Sequence, residues 1–259
     1  MGDKKYLSNG FSTINNIILK NDNLRKIKSI YYYIDWILLR FIKKPKKQTG
    51  SKKNIIISFN LILGDGVIFI TALKNLRKIY PKEKYHITFA CQKGLQTMYE
   101  KLEIFDEVIP LNFTKATVNL KERFNIFKKL RKNYYDIALD PIAIEECSMN
   151  ILVNRAICAD KKIGLINNDR KVYCPHRIYN KVYNEIIQIK GKHIHCIEQY
   201  NEFFNGLTEN KSNVEFVKLP SEEVKEKLPN EYFIIYPSAS TEYKRWPIER
   251  FARYCKKNV

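Results

Sequence analysis

Asn54-Ile-Ile-Ile-Ser-Phe59, Asn60-Leu-Ile-Leu-Gly64-Asp65-Gly66 and Val67-Ile-Phe-Ile-Thr-Ala-Leu-Lys-Asn-Leu-Arg-Lys-Ile-Tyr80 follow one another without interruption. The first run is built on three consecutive isoleucines and a phenylalanine, as a strand covered on both faces requires. The second sets two glycines around one carboxylate, so the backbone can turn tightly and approach a ligand closely. The third has the length and spacing of a helix. Working outward, residues 85–90, 107–111, 136–140 and 162–166 read as further strands, and 118–133 and 144–158 as helices. This alternation predicts an α/β fold, a doubly wound parallel (Rossmann-like) sheet with helices on both faces. Gly164, Asn167 and Asn168 read as its edge loops, and a helix at 194–205 leads into a polar connection ending at Pro220.

The same unit begins again near the end of the chain. Glu231-Tyr-Phe-Ile-Ile-Tyr236 has strand length and is closed by Pro237. Ser238-Ala-Ser-Thr-Glu-Tyr-Lys-Arg245 follows as a small, hydroxyl-rich loop, and Trp246-Pro247 opens a helix on which Ile248, Phe251, Ala252 and Cys255 share a face. Hydroxyls and free amides then converge where the helix dipole is positive, which suits a phosphate. The predicted organisation is a basic, aromatic extension (1–53), a Rossmann-like domain with its connecting helix (54–220), and the first strand-helix unit of a second such domain (221–259).

The chain has 259 residues and a formal net charge of +19. Residues 1–53 carry 13 Lys/Arg against 3 Asp, so they supply +10 of that charge. Such basicity suits an anionic lipid or phosphorylated saccharide; a lysine-rich solvated surface is the plainer reading for the remainder. Within the extension, Ile30-Tyr-Tyr-Tyr-Ile-Asp-Trp-Ile-Leu-Leu-Arg-Phe-Ile42 is too short and too interrupted by Asp35 and Arg40 to span a bilayer. Aromatic residues between lysine clusters suit a helix lying on an anionic leaflet; a helix packed on the main domain with a solvated basic tail is the alternative. Six scattered cysteines without Cys-x-x-Cys spacing read as buried thiols of a reducing compartment, and no cleavable signal peptide is visible.

Several chemistries are disfavoured. No Walker loop, Gly-x-Gly-x-x-Gly or Asp-x-Asp occurs, and His193-x-His195 lacks a third ligand nearby, so it reads as structural. Charge alone speaks for nucleic acid, without a motif, and no nucleic-acid partner is expected. Asp65, outside the carboxyl end of the first strand, stands where open α/β sheets bind ligands. On residue logic it reads either as a helix N-cap or as a catalytic carboxylate.

Residues 54–81 resemble the opening of the glycosyltransferase family 9 enzymes, the lipopolysaccharide heptosyltransferases and their relatives. Tyr135-Asp-Ile-Ala-Leu-Asp140 and Lys161-Lys-Ile-Gly164 fall where that family has strands, and residues 236–251, with Lys244-Arg-Trp-Pro247, look like its donor-phosphate segment. Thr71 and Gly66 depart from the pattern, standing where relatives have Pro and an aliphatic residue. The resemblance implies a two-Rossmann-domain (GT-B) inverting glycosyltransferase that works without metal or other cofactor. In it residues 54–220 form the acceptor side, and Asp65, flanked by Gly64 and Gly66 as substrate contacts, is the base. Ser240, Thr241 and Lys244 would hold the diphosphate of a nucleotide diphosphate sugar, the donor of a heptose or similar sugar. The implied acceptor is a saccharide or glycolipid of the bacterial envelope such as lipopolysaccharide core. The implied location is cytoplasmic, with peripheral contact at the inner, anionic face of the membrane. The match runs to the last residue, so the donor-side domain is expected to be C-terminally truncated and the chain alone to transfer sugar poorly. The competing expectation is a catalytically incompetent remnant, or a basic module that binds anionic lipid or polymer.

Overall fold

The structure, a computed structural model, describes residues 21–47, 49–145, 147–209, 211, 213, 229–237 and 245–258. It forms two compact units, residues 1–220 and 221–259. In the first unit six strands make one parallel sheet: β1 (Lys53–Phe59), β2 (Tyr85–Gln92), β3 (Glu107–Leu111), β4 (Tyr134–Ala143), β5 (Cys158–Asn167) and β6 (Glu185–Ile189). Their order is β3-β2-β1-β4-β5-β6, so the winding reverses between β1 and β4, as in doubly wound nucleotide-binding sheets. Helices α1 (Asp22–Ile27) and α2 (Ser29–Arg40) precede the sheet. α3 (Leu63–Leu73) and α4 (Leu76–Ile79) connect β1 to β2, and α5 (Gln96–Glu100) connects β2 to β3. α6 (Phe113–Ala116) and α7 (Leu120–Leu130) lead to β4, α8 (Met149–Ala156) to β5, α9 (His176–Val182) to β6, and α10 (Cys196–Asn205) follows.

The period of two along β1 sorts its side chains between two cores. Ile55, Ile57 and Phe59 pack with α3, α5 and α10, whereas Ile56 packs with α2, α7, α8 and α9. The first core is a stack of rings: Phe59 lies 4.3 Å from Phe69, and Phe69 lies 5.1 Å from Tyr200, centroid to centroid. Fully buried side chains of this size contribute about 1.5–3 kcal/mol each. The stack therefore pins the start of α3 against the end of β1.

Boundaries differ from the sequence reading where local chemistry intervenes. The run expected as one helix over 67–80 starts earlier, at Leu63, and breaks into two at Lys74 and Asn75; asparagine is a poor helix former because its amide competes for backbone groups. β4 extends past Asp140 through Pro141, and its pairing with β5 becomes irregular between Leu139 and Ala143, since proline has no N–H for the ladder. The following helix is accordingly shorter than 144–158, beginning at Met149. β6 and α9 were not anticipated. Gly164 is not a loop residue: it lies within β5, where an added Cβ would come 2.9–3.1 Å from ring atoms of Tyr183. All six cysteines are free thiols, with Cys91, Cys147 and Cys174 buried.

Helix α2 is built into the first unit. Tyr32, Asp35 and Leu39 are buried, and Asp35 meets the equally buried Arg123 of α7 at 3.3 Å. Burial pushes the Asp35 carboxyl up to about 6 against the pull of Arg123. Arg131 donates to the carbonyls of Leu39 (2.6 Å) and Ile42 (2.9 Å), capping the helix end. Arg155 lies over the Tyr32 ring at 3.6 Å and donates to the Tyr32 carbonyl.

In the second unit α11 (Ile248–Asn258) forms after Pro247, and Trp246 packs edge-on against Phe251 at 4.8 Å. Residues 231–236, expected as a strand, pair with no neighbour among the described residues, and Ile234 and Tyr236 stand exposed. A strand exists only through its ladder, and among the described residues this segment has none.

Candidate functional site

The site is built at the carboxyl edge of the sheet, beside the reversal between β1 and β4. After Phe59 the chain leaves the sheet, and Ile62, in extended conformation, acts as N-cap of α3 without a side-chain hydrogen bond. Asp65 is thus in the first helical turn, half-exposed, and not the cap itself. A carboxylate there complements the helix dipole, and its exposure leaves it able to meet a hydroxyl.

The two flanking glycines have different surroundings. A Cβ at Gly64 would meet nothing within 4 Å, so that side of the turn is open. Gly66 is buried, its amide donates to the Ile62 carbonyl at 2.9 Å, and a Cβ there would lie 2.9 Å from the Tyr99 hydroxyl. That hydroxyl donates to the Gly66 carbonyl at 3.2 Å. The missing side chain makes room for Tyr99. Burial raises the phenols of Tyr99 and Tyr200, and the nearby Asp65 carboxylate adds to both shifts. Asp65 therefore has two neutral phenols in its vicinity.

On the far side of the reversal lies a network the sequence reading missed. Asp140, fully buried near the end of β4, accepts from Tyr183 Oη (2.5 Å), Asn154 Nδ2 (2.8 Å), Ile142 N (3.1 Å) and Asn150 Nδ2 (3.2 Å). Asn154 Nδ2 also donates to Ser58 Oγ of β1 at 2.7 Å. Burial pushes the Asp140 carboxyl up to about 7, although all four donors favour its anion. Lys162 Nζ donates to the Asn154 carbonyl at 2.7 Å, and burial lowers its pKa to about 8. The network joins β1, β4, α8 and the approach to β6 at the point where the winding reverses. Its signal was present, though unread: Asn150 and Asn154 stand four apart on a helix whose other residues, Arg155 excepted, are apolar, so both amides share a face. Asn60, just past β1, has a buried Oδ1 without a partner among the described residues.

Ser240, Thr241 and Lys244 lie outside the described residues. His195 accepts from the Ile197 amide through Nδ1 at 3.3 Å, so it caps α10, and no metal-binding cluster occurs among the described residues. A cavity of about 250 Å³ lined by Asn75, Lys78 and Phe204 lies past the opposite end of α3 from Asp65. It has no part in the arrangement around the carboxylate.

No family model matches the chain, and no curated protein matches it in sequence. Among solved structures, a family 9 glycosyl transferase from Veillonella parvula aligns with a TM-score of 0.59 and 20% identity, covering 80% of this chain and 60% of that one. The E. coli heptosyltransferase WaaC with ADP-2-deoxy-2-fluoro heptose aligns at 17% identity and a TM-score of 0.48, over 62% of this chain and 50% of that one. The E. coli ADP-heptose lps heptosyltransferase II aligns at 16% identity and a TM-score of 0.44, over 79% and 60%. At these identities the likeness is one of fold. A family 9 glycosyl transferase and heptosyltransferases are among the structural neighbours, and the mixed α/β architecture with its six-stranded parallel sheet is consistent with a Rossmann-like half of the GT-B arrangement. This chain spans 60% of the length of the first neighbour.

Proposed function

We propose that the chain is the acceptor-side part, with the beginning of the donor side, of an inverting glycosyltransferase that moves a heptose or similar sugar from a nucleotide diphosphate donor onto a bacterial envelope saccharide. The observation that carries this reading is the placement of Asp65: a half-exposed carboxylate in the first turn of α3, beside the reversal of a sheet shared with a family 9 glycosyltransferase. In the proposed reaction the acceptor hydroxyl attacks the anomeric carbon of the donor. Asp65 takes the hydroxyl proton, the glycosidic bond forms, and the nucleotide diphosphate leaves with the electron pair of the broken bond. The open side of the turn at Gly64 admits the acceptor, while Gly66 sets the height of the carboxylate above Tyr99. Ser240, Thr241 and Lys244 are proposed to receive the diphosphate, whose growing charge fixed donors and a cation stabilise. No metal is assigned a role.

The test is transfer from nucleotide diphosphate heptose to truncated lipopolysaccharide core, read by product mass, for the chain completed by fusion to a whole donor-side domain, as wild type and as Asp65→Asn. Asparagine keeps the shape and cannot accept the proton, so turnover should fall by about 100-fold or more while the melting temperature stays put. Unchanged turnover in Asp65→Asn, or a wild type that transfers to no envelope saccharide, would overturn the reading.

A further inference from the structure

Helix α2 has two apolar faces, and the fold uses one. At 100° per residue Tyr32, Asp35 and Leu39 point into the domain, and Ile30, Tyr33, Ile37 and Phe41 fall on the opposite side. These four are 55%, 46%, 54% and 76% exposed. Trp36, also exposed, borders the stripe with the Arg40 guanidinium 3.7 Å above its ring. We propose that this outer face, with the lysines that follow it, is a docking surface for an anionic lipid bilayer.

Three observations point to that occupant. First, the stripe is not a core face awaiting its fold. The buried Asp35–Arg123 pair and the Arg131 and Arg155 contacts to α2 carbonyls hold the inner face in place. A rotation that buried the stripe would strand both charges of the pair. Second, the exposed charges that the segment itself carries have one sign. Lys26, Arg40, Lys43, Lys44 and Lys46 are exposed, and the one acidic residue between Leu24 and Lys47 is the buried Asp35. The matching surface is apolar at its centre and negative around it, which describes an anionic interface and its acyl boundary. A second copy offering the same face would set lysines against lysines. Third, no described helix is long and apolar enough to cross a membrane, so the contact is peripheral. The inference stands whether or not Asp65 is catalytic.

The experiment uses the whole chain and two vesicle preparations, phosphatidylcholine alone and phosphatidylcholine with one-third phosphatidylglycerol, in a flotation assay. Binding should occur to the anionic vesicles only and fade as salt rises, because screening weakens each cation's attraction. Ile37→Gln with Phe41→Gln removes two exposed apolar groups without changing charge, and should weaken binding about tenfold. Lys43→Gln with Lys44→Gln and Lys46→Gln should weaken it by at least about tenfold. The chain has two tryptophans, so in a Trp246→Phe background the emission of Trp36 should shift to the blue on binding. Since every substituted side chain is exposed, unchanged circular dichroism separates lost binding from lost fold. Equal binding to neutral vesicles, no binding to either, or full binding by the Ile37/Phe41 variant would overturn the proposal. So would a concentration-dependent dimer in light scattering that the same variant abolishes, since the occupant would then be a second copy.

Discussion

Substituting Asp140 by asparagine should change how stability depends on pH. The carboxyl is fully buried and pushed up to about 7 by that burial, from an ordinary 3.8. The folded protein therefore holds this proton more tightly than the unfolded chain does. Its contribution to stability is greatest below about pH 4, is lost progressively as pH rises towards 7, and is flat above. The separation between 3.8 and about 7 corresponds to about 4 kcal/mol, of which somewhat more than half falls between pH 5 and 8. Asparagine carries no proton to lose. Its donor group would face Asn150 and Asn154, but these amides can turn to present oxygens, and the Asn154 Oδ1 has no partner to give up.

The measurement is urea unfolding of both proteins, followed by far-ultraviolet circular dichroism from pH 5 to 8. Asp35, raised to about 6, contributes a slope of the same sign, but equally in both proteins, so the difference between them isolates Asp140. The wild type should lose about 2–3 kcal/mol relative to Asp140→Asn across the interval, corresponding to roughly 5–10 °C in melting temperature for a protein of this size. The offset between the curves at any single pH reports only how asparagine packs; the change of that offset with pH is the quantity tested. Parallel curves over the whole range would refute the reasoning, since they would show that Asp140 releases its proton at the same pH in the folded and unfolded chains.

Two further substitutions test how the site is held. Gly66→Ala places a methyl group 2.9 Å from the Tyr99 hydroxyl and should destabilise the domain by about 1–3 kcal/mol, with part of the loss recovered when Tyr99→Phe removes that oxygen; calorimetry reads both. Asp35→Ala leaves Arg123 buried without its counter-charge and should cost about 3 kcal/mol in urea unfolding, whereas a loss below about 1 kcal/mol would mean that the pair does not hold α2.

The sheet was legible in the sequence because parallel strands buried on both faces must be continuous apolar runs. Asn54–Phe59 announces itself in that way, and the carboxyl-edge position of Asp65 follows from the turn after it. What escaped the sequence was set by tertiary contact. Gly164 reads as a loop glycine until the Tyr183 ring is seen to occupy the space of its side chain. β6 is short and half-covered, so its pattern is weak, and its place is fixed by pairing with β5. Asp140 reads as the polar end of a strand, because nothing in its neighbours' spacing reveals that Tyr183, 43 residues on, will bond it. The terminal segment fails in the opposite direction. Residues 231–236 have the composition of a strand as good as β1, yet they pair with nothing among the described residues. Composition makes a segment fit for a ladder, and neighbours make the ladder. Asp65 owes its position to the same rule: the strand before it lies between two others, so the place of that carboxylate follows from the sheet.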